Sequence, residues 1–287
     1  MASRQSNAMI ICRLHGRLGN QMFQYAAARA MSARLGVPVA LDPREALTKG
    51  EGVLTRVFDL PLSDSPHLPP TRTNMPAYLA WRWLGLSPRF RRERHLDYNA
   101  EIGNWAAPCY LHGYWQSERY FAQQAAIIRT DFTFPDFTNS QNADMAARIA
   151  ETNAIALHVR RGDYLALGQH AVCDEAYYLA ALDTVREGIE NPTVYVFSDD
   201  PDWAKSNLPL PCEKVVVDFN GPETDFEDMR LMSLCQHNVI GNSSFSWWAA
   251  WLNANPDKRV AGPDRWFGDS TLSNPDILPV GWLRVPV

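Results

Sequence analysis

Short apolar runs alternate with amphipathic stretches at the start of the chain. Met9–Leu14 and Val37–Leu41 are apolar runs that predict two β-strands. Between them, His15–Asn20 reads as a turn, and Gln21–Leu35 carries apolar residues at steps of three and four, which predicts a helix. Gly36 can end this helix in the left-handed conformation. A strand, turn, helix and strand in this order form a βαβ unit, which indicates a parallel sheet.

The pattern is weaker over the next part of the chain. Prolines interrupt Gly50–Ala107 and predict loops and short helices there. Cys109–Gly113 predicts a strand, and a helix is expected near Glu118–Arg129. The polar, proline-containing segment Asp131–Asn142 is the expected linker.

Strands and helices alternate regularly in the second half. The predicted strands are Ala154–Val159, Thr193–Phe197, Lys214–Asp218, Asn238–Gly241 and Arg259–Ala261, and the predicted helices are Asp174–Glu190, Asp225–His237 and Ser244–Asn253. This alternation indicates a doubly wound parallel sheet. We therefore expect an α/β fold with an N-terminal domain at residues 9–140 and a C-terminal domain at residues 141–287.

The composition excludes several classes of protein. With 287 residues and 46% hydrophobic positions, the chain is suited to a globular enzyme rather than a disordered or fibrous protein. Its formal net charge of -5 argues against general nucleic-acid binding but allows one local basic pocket. The five cysteines contain no CxxC pair and the histidines no HxH or HxxxH pair, so neither a disulfide framework nor a metal site is predicted.

Membrane insertion is not predicted either. No run of about 18 or more apolar residues is present, and the polar start does not resemble a signal peptide. Ser6-Asn7-Ala8 before Met9 is typical of a sequence left by cloning, so Met9 is the expected native start. We expect a cytoplasmic protein. The basic run Arg89–Arg94 leaves a peripheral place at the inner membrane face open, although such a run is also typical of a solvated helix face.

Three polar segments follow predicted strands of the second half. They are His158–Tyr164, Ser198–Asp200 and Gly241–Phe245. In open parallel sheets, ligands bind outside the carboxyl ends of the strands, so these segments are expected to converge on one crevice. This convergence is the main functional signal in the sequence.

The residue types in these segments suit an anionic nucleotide. Arg160 and Arg161 offer guanidinium forks that can bind phosphate in a bidentate manner. Ser243 and Ser244 stand where a helix begins and presents unpaired N–H groups. Paired arginines also occur in ordinary salt bridges, and serines at a helix start are often only N-caps. The prediction therefore depends on the segments acting together.

Two carboxylates are candidates for the nucleoside. Asp199 or Asp228 could accept hydrogen bonds from ribose hydroxyls or from a base that carries N–H donors. Asp200, directly before Pro201, is equally suited to capping the next helix.

Three motifs together resemble the α-1,2-fucosyltransferases of glycosyltransferase family 11. They are Gly16–Tyr25 (GRLGNQMFQY), His158–Tyr164 (HVRRGDY) and Gly241–Trp248 (GNSSFSWW), and they extend from the first strand to the last third of the chain. The resemblance implies two facing Rossmann-like domains, a GT-B-like fold, with the nucleotide on the C-terminal domain and no metal. It also implies inverting transfer of L-fucose from GDP-β-L-fucose to a sugar hydroxyl. The family expectation is the 2-OH of galactose in a cell-surface oligosaccharide, which could be lipid-linked.

The resemblance also implies roles for individual residues. Arg160 would hold the donor diphosphate and stabilise its leaving charge, His158 would shape the nucleotide pocket, and Asp228 would read guanine. The remaining donor-side residues would be Arg161, Asp199, Asn242, Ser243, Ser244 and Phe245, with Gly19 and Asn20 near the fucose and the acceptor.

The general base and the acceptor site are the least defined parts. Asp163 is the candidate base, with His170, Asp174 or a diphosphate oxygen as alternatives. For the acceptor, the candidates are Tyr114, Trp115 and Gln116, because aromatic faces stack on sugars and amides bind their hydroxyls; Trp115 is equally suited to the core.

Other functions remain possible from the sequence. They are a different fucosyl linkage, either α-1,6 or protein O-linked, and a nucleotide-sugar binding module without catalysis. A Rossmann-type oxidoreductase is disfavoured because no GxGxxG follows the first strand. The oligomeric state is not encoded in any motif.

Overall fold

The chain folds into two α/β units, each built on its own parallel sheet. The computed structural model describes residues 8–64, 68–70, 74–84, 89–137, 139–161 and 173–287. The units are Met1–Phe134 and Pro135–Val287. The division between them lies inside the segment that the sequence predicts as the linker.

The first unit contains a four-stranded sheet. Its strands are β1 (Ile10–Arg13), β2 (Val39–Asp42), β3 (Arg89–Arg92) and β4 (Cys109–His112). They are all parallel and lie in the order β2-β1-β4-β3. The chain leaves β1 for β2 on one side, while β4 lies on the other side of β1. The strand order therefore reverses between β1 and β4, which is where open α/β sheets bind ligands.

The described residues of this unit include four α-helices. They are α1 (Leu18–Leu35), α2 (Arg44–Thr48), α3 (Met75–Trp83) and α4 (Ala125–Asp131). Gly36 ends α1 with a φ of 64°, as predicted, because glycine adopts the left-handed conformation without steric cost. The helix begins at Leu18 rather than Gln21, so Gly19 and Asn20 lie in its first turn and not in the preceding loop.

Two expectations for this unit need correction. The basic run at Arg89 is not a helix face: its first four residues form the edge strand β3, where Phe90 packs against Trp81 and Tyr110. The helix expected near Glu118–Arg129 is confirmed only in its second half, which lies in α4, because two short 3-10 turns precede it.

The second unit contains a six-stranded sheet. Its strands are β5 (Asn153–Val159), β6 (Pro192–Ser198), β7 (Glu213–Val217), β8 (His237–Val239), β9 (Val260–Pro263) and β10 (Leu283–Val285). All pairings are parallel, in the order β10-β9-β8-β5-β6-β7. This is the doubly wound order 3-2-1-4-5-6, and its reversal lies between β5 and β8. The sequence did not predict β10.

In the described part of this unit, five α-helices accompany the sheet. They are α5 (Ser140–Ala150), α6 (Glu175–Arg186), α7 (Pro201–Asn207), α8 (Asp225–Leu234) and α9 (Ser244–Leu252). The sequence missed α5, which begins before the end of the predicted linker. Asp200 accepts the backbone N–H of Trp203 and so caps α7, as the position before Pro201 suggested.

Apolar side chains fill the core of this unit, and two lysines bind the carboxyl ends of its helices. Tyr178, Ala181, Leu182 and Val185 form the buried stripe of α6, and Trp247 and Trp248 of α9 are fully buried. Lys214 donates from Nζ to the carbonyls of Ala204, Lys205 and Leu208, and Lys258 donates to those of Ala250, Trp251 and Asn253. Both ammonium groups thereby satisfy carbonyls at a helix carboxyl end.

Within the described ranges, no helix combines the length and the apolar character needed to cross a bilayer.

Candidate functional site

Three loops meet at one edge of the six-stranded sheet. Strands β8, β5 and β6 are adjacent and parallel, so their carboxyl ends lie side by side. Arg160 follows β5, Asp199 follows β6, and Gly241–Ser243 lies between β8 and α9. The described parts of the three predicted segments therefore lie together, at the point where the strand order reverses. Residues 162–164 of the first segment lie outside the described residues.

Asp199 joins the first two loops. Its Oδ2 lies 3.1 Å from Nε of Arg160, and its Oδ1 accepts the backbone N–H of Arg161 at 2.8 Å. The Arg160 side chain is only 17% exposed, so this ion pair is screened less by water than a surface pair. The carboxylate therefore fixes both the direction of the Arg160 guanidinium and the backbone that follows it.

Arg161 turns towards α7 instead. Its guanidinium lies 3.8 Å from the ring centroid of Trp203, and its Nε lies 3.6 Å from Oδ2 of Asp200. A cation over an indole face is a favourable arrangement. In this structure Arg161 thus anchors the loop to α7, while Arg160 is held at the strand ends.

His158 is an uncharged member of the site. It is buried at the end of β5, and its ring centroid lies 5.7 Å from that of Phe245. Burial, and then the neighbouring charge of Arg160, lower the pKa of His158 to about 4, although Asp199 opposes the shift. Among the described residues its Nδ1 has no hydrogen-bond partner. The imidazole is therefore neutral near pH 7 and can serve as a hydrogen-bonding group without adding charge.

The third loop presents the amino end of α9. Ser243 is the N-cap, and its side chain accepts the backbone N–H of Phe245 at 3.4 Å. Asn242 is buried and donates from Nδ2 to the carbonyl of Trp266 at 3.1 Å. Gly241 packs closely on β5, since a Cβ there would lie 3.4 Å from the carbonyl oxygen of His158. The remaining N–H groups of this helix end, including those near Ser244, carry the partial positive charge that binds anions.

Asp228 lies in the first turn of α8. Its Oδ1 accepts Nδ2 of Asn220 at 2.7 Å, and Asn220 in turn exchanges amide hydrogen bonds with Asn142. Burial raises the pKa of Asp228 to about 7; Asp225 and Glu227 add to this shift and Asn220 opposes it. This carboxyl group therefore changes its protonation state near neutral pH.

A second cluster lies at the strand reversal of the first unit. The loops that follow β1 and β4 meet there, and Gln116 donates from Nε2 to Oδ1 of Asn20 at 2.9 Å. The rings of His15 and Tyr114 lie 4.6 Å apart in the same place. Gly19 is buried beside Asn20 at the start of α1. The predicted residues Asn20, Tyr114 and Gln116 are therefore neighbours, although they are distant in sequence.

Two glutamines that the sequence analysis did not single out hold this cluster. Gln21 donates from Nε2 to the carbonyls of Gly16 and Gly52, each at 2.7 Å, and accepts the N–H of Leu54. Gln24 bonds to the backbone and ring of His15. Both glutamines are fully buried among the apolar residues Met22, Phe23 and Tyr25, and these neighbours within GRLGNQMFQY were the signal available in the sequence.

Glu93 is a further residue that sequence reasoning missed. Its two carboxylate oxygens accept the backbone N–H groups of Tyr114 at 2.6 Å and of Trp115 at 3.0 Å. Trp115 has a φ of 55°, an uncommon conformation for a residue with a side chain. The carboxylate of Glu93 thus holds a strained turn by two charge-assisted hydrogen bonds.

The proposed stacking role of Trp115 does not fit its burial. Its side chain is 1% exposed and packs against Trp105 and Tyr120, so it has no face open to a sugar. Tyr114, at 37% exposed, is the aromatic residue of this turn that faces solvent.

The candidates for the general base are only partly described. Asp163 and His170 lie outside the described residues. Asp174 is described, and its carboxylate caps α6 by accepting the N–H of Tyr177. The described part of the chain contains no group of three or more His, Cys, Asp or Glu side chains suited to a metal ion.

The fold and these two clusters define an α/β protein with a candidate anion site in its second unit and a polar aromatic cluster in its first. Residues 2–285 match the model of glycosyl transferase family 11, and the chain belongs to this family. It is therefore a glycosyltransferase.

Curated relatives cover nearly the whole chain. An alpha-1,2-colitosyltransferase of Escherichia coli is 31% identical over an alignment of 290 positions that covers 97% of this chain and 99% of the relative. The O-antigen biosynthesis glycosyltransferase WbnK of Escherichia coli is 30% identical, covering 91% of this chain and 95% of WbnK. Galactoside alpha-(1,2)-fucosyltransferase 1 of Homo sapiens is 28% identical and covers 93% of this chain and 69% of the human protein.

Solved structures agree with the fold. The NodZ alpha-1,6-fucosyltransferase soaked with GDP-fucose has a TM-score of 0.51 at 15% identity, covering 86% of this chain and 93% of NodZ. A variant of Arabidopsis thaliana FUT1 in complex with GDP has a TM-score of 0.50 at 13% identity, covering 90% and 71%. The predicted GT-B-like α/β class with parallel sheets is confirmed.

Proposed function

We propose that the chain transfers L-fucose from GDP-β-L-fucose, with inversion, to the 2-OH of a galactose in a cell-surface oligosaccharide. The second unit would bind the donor, and the first unit would bind the acceptor. Membership of glycosyl transferase family 11 and the α-1,2-transferases among its relatives support this reaction.

One observation carries the assignment of the donor site. Arg160 and the amino end of α9 stand at the carboxyl ends of the adjacent strands β5 and β8, where the strand order reverses. A guanidinium and a helix amino end side by side are two independent binding groups for a diphosphate. Asp199 keeps the guanidinium in place before the donor arrives.

The chemistry requires stabilisation of a leaving group. As the bond from fucose to GDP breaks, the sugar becomes oxocarbenium-like and negative charge grows on the diphosphate. A fixed guanidinium and fixed N–H groups stabilise this charge without reorganising during the reaction. Neutral His158 beside Phe245 would border the nucleotide, and Asp228 would accept hydrogen bonds from the N–H donors of guanine.

The remaining assignments complete the proposal. Asp163 would accept the proton from the acceptor hydroxyl. Tyr114, Gln116 and Asn20 would bind the acceptor, because an exposed ring and two amides match the faces and hydroxyls of a sugar. The acceptor could be lipid-linked, and the enzyme would then work in the cytoplasm or at the inner membrane face. No metal is required in this scheme.

A second donor is favoured by one comparison. The E. coli relative that matches 97% of this chain is an alpha-1,2-colitosyltransferase. Colitose is L-fucose without its 3-hydroxyl, so the same diphosphate and guanine contacts would serve GDP-colitose. A donor competition between the two nucleotide sugars distinguishes these functions.

The test is a donor and acceptor screen with the purified chain. GDP-fucose is offered with galactose-terminated oligosaccharides, GDP release is measured with and without EDTA, and the product linkage is determined by NMR. We expect an α-1,2-fucosylated product and unchanged rates in EDTA. A 1,6-linked or protein-linked product would show that the proposed linkage is wrong. GDP binding without any transfer would show that the chain is a binding module rather than an enzyme.

A further inference from the structure

Helix α3 is apolar on two opposite faces. Its inner face carries Tyr78 and Trp81, which are buried against the sheet. Its outer face carries Met75, Leu79 and Trp83, which repeat every four residues and are 47%, 43% and 76% exposed. A surface helix normally places polar residues on its outer face. An exposed apolar stripe of this kind indicates a surface that binds a partner or a membrane.

Two arginines lie beside the stripe. Arg82 lies seven residues after Met75 and therefore on the same helix face; its guanidinium is 6.0 Å from the ring centroid of Trp83 and 5.4 Å from that of Phe90. Arg92 is exposed on the edge strand β3, two residues from Phe90, so it lies on the side of the sheet that α3 covers. Leu84, which follows the helix, is 71% exposed.

We propose that this surface, the α3 patch of Met75, Leu79, Arg82, Trp83, Leu84 and Arg92, docks the first unit on a lipid surface that carries anionic headgroups. Tryptophan and leucine enter the boundary between headgroups and acyl chains, and neighbouring arginines bind the phosphates. The patch and an anionic lipid surface are complementary in charge as well as in polarity. The patch is cationic, although the formal net charge of the chain is -5.

The same charges argue against a second copy of the chain as the occupant. A two-fold dimer through this face would place each residue of the patch against the same face of its partner. The two arginines of one copy would then face a surface that carries the same two positive charges, and no acidic side chain is among the six residues of the patch. In a dimer, the positive charges of the two copies would repel each other across the interface. With anionic lipid, the same charges attract the surface that the patch binds.

The inference is independent of the transfer reaction, because vesicle binding requires neither donor nor acceptor. The experiment is co-sedimentation of the full chain with vesicles of phosphatidylcholine alone or of phosphatidylcholine mixed with phosphatidylglycerol. We expect sedimentation only with the anionic vesicles, and release as salt is raised, since the arginine contacts are screened.

Variants separate the two contributions. Trp83→Ser combined with Leu79→Ser should lower vesicle binding about tenfold or more, since two apolar groups no longer enter the interface. Arg82→Gln and Arg92→Gln should each lower binding about fivefold, the effect of one cationic side chain near an anionic surface. Leu272→Ser and Arg148→Gln are the matched controls, since Leu272 is 40% exposed, the Arg148 side chain is 50% exposed, and both lie in the other unit.

Two further measurements distinguish a loss of vesicle binding from a loss of folding. Each variant must keep its thermal unfolding transition and its transfer rate with a soluble acceptor. Folded patch variants that sediment as well as the controls would overturn the proposal. So would a concentration-dependent dimer, seen by analytical ultracentrifugation without lipid, that Trp83→Ser converts to a monomer, because the patch would then be covered by a second copy.

Discussion

The guanidinium of Arg160 lies 3.1 Å from the carboxylate of Asp199, so the two adjacent strands β5 and β6 are joined at their carboxyl ends by an ion pair. The pair is only partly exposed, and Asp199 also accepts the backbone N–H of Arg161. In the proposed donor site, this carboxylate would orient Arg160 for the diphosphate and would also compete with the diphosphate for it. Donor binding and the ion pair are therefore expected to be energetically coupled.

Replacing Arg160 should remove most of the transfer activity. Arg160→Ala is expected to lower the turnover number by a factor on the order of 10²–10³, the usual loss when one fixed donor to a developing negative charge is deleted. Arg160→Lys should recover only part of this, since an ammonium cannot bind phosphate with a planar fork. Turnover is measured by GDP release, with Arg148→Ala as the control. Near-normal turnover in folded Arg160→Ala would remove Arg160 from the donor site.

Asp199→Asn should change donor affinity in a way that depends on Arg160. The asparagine can still accept the N–H of Arg161 but cannot form the ion pair. A double-mutant cycle with Arg160→Ala and Asp199→Asn, read as the free energy of GDP binding by calorimetry, should give a coupling of about 1 kcal/mol or more. Additive effects of the two substitutions would mean that the ion pair does not prepare Arg160 for the donor.

GDP affinity should depend on pH through Asp228. Because burial raises the pKa of this carboxyl group to about 7, it is ionised above that pH and protonated below it. The ionised form accepts hydrogen bonds from the N–H donors of guanine, so GDP affinity is expected to be full above pH 7. It should fall as the pH drops below 7, with a limiting slope of about tenfold per pH unit.

The pH profile has a direct control. Asp228→Asn should bind GDP more weakly and lose this dependence, whereas Asp202→Asn, whose carboxyl group is 93% exposed, should retain it. GDP titrations between pH 5 and pH 9, a range of about two units on either side of 7, resolve the profile. A wild-type slope that persists unchanged in Asp228→Asn would assign the titration to another group.

Glu93→Gln should weaken acceptor binding without affecting the donor. The glutamine has one acceptor oxygen, so one of the two N–H groups of Tyr114 and Trp115 loses its partner and the strained turn loosens. One lost hydrogen bond to a charged group corresponds to about a tenfold increase in acceptor KM. The KM for GDP-fucose should not change.

The specificity of this effect is checked with Glu101→Gln, which replaces an exposed carboxylate in the same unit. Tyr114→Ala should raise the acceptor KM as Glu93→Gln does, and the two substitutions together should do little more than either alone. Equal increases in donor and acceptor KM would indicate a general loss of structure rather than a positioning role for Glu93.

The meeting of three loops at the ends of β8, β5 and β6 could be predicted from the sequence because its signals are local. The loops of His158, Asp199 and Ser243 each directly follow an apolar strand, and the parallel order of β8, β5 and β6 then places them together. The capping role of Asp200 was also readable, because the residue before a proline at a helix start has few alternatives.

The polar aromatic cluster of the first unit was harder to predict. The surroundings of its residues depend on partners that are distant in sequence. Trp115 is buried by Trp105 and Tyr120, and no periodic pattern connects these positions. Phe90 is the only apolar residue of the run Arg89–Arg94, and its side chain packs on the inner face of β3. Without knowledge of the pairing with β4, the arginines of this run are equally typical of a charged helix surface. Glu93 was invisible for the same reason: its function is defined by two backbone groups about twenty residues away along the chain.

The lysines that close helix ends have a practical consequence. The chain contains four lysines, Lys49, Lys205, Lys214 and Lys258. The amines of Lys214 and Lys258 are each held by three main-chain carbonyls, whereas the side chains of Lys49 and Lys205 are 54% and 45% exposed. Among the described residues, amine-reactive coupling to a solid support should therefore start at Lys49 and Lys205. Attachment through Lys205 would leave the first unit unmodified, whereas attachment through Lys49 would remove a charge that acts on Tyr114.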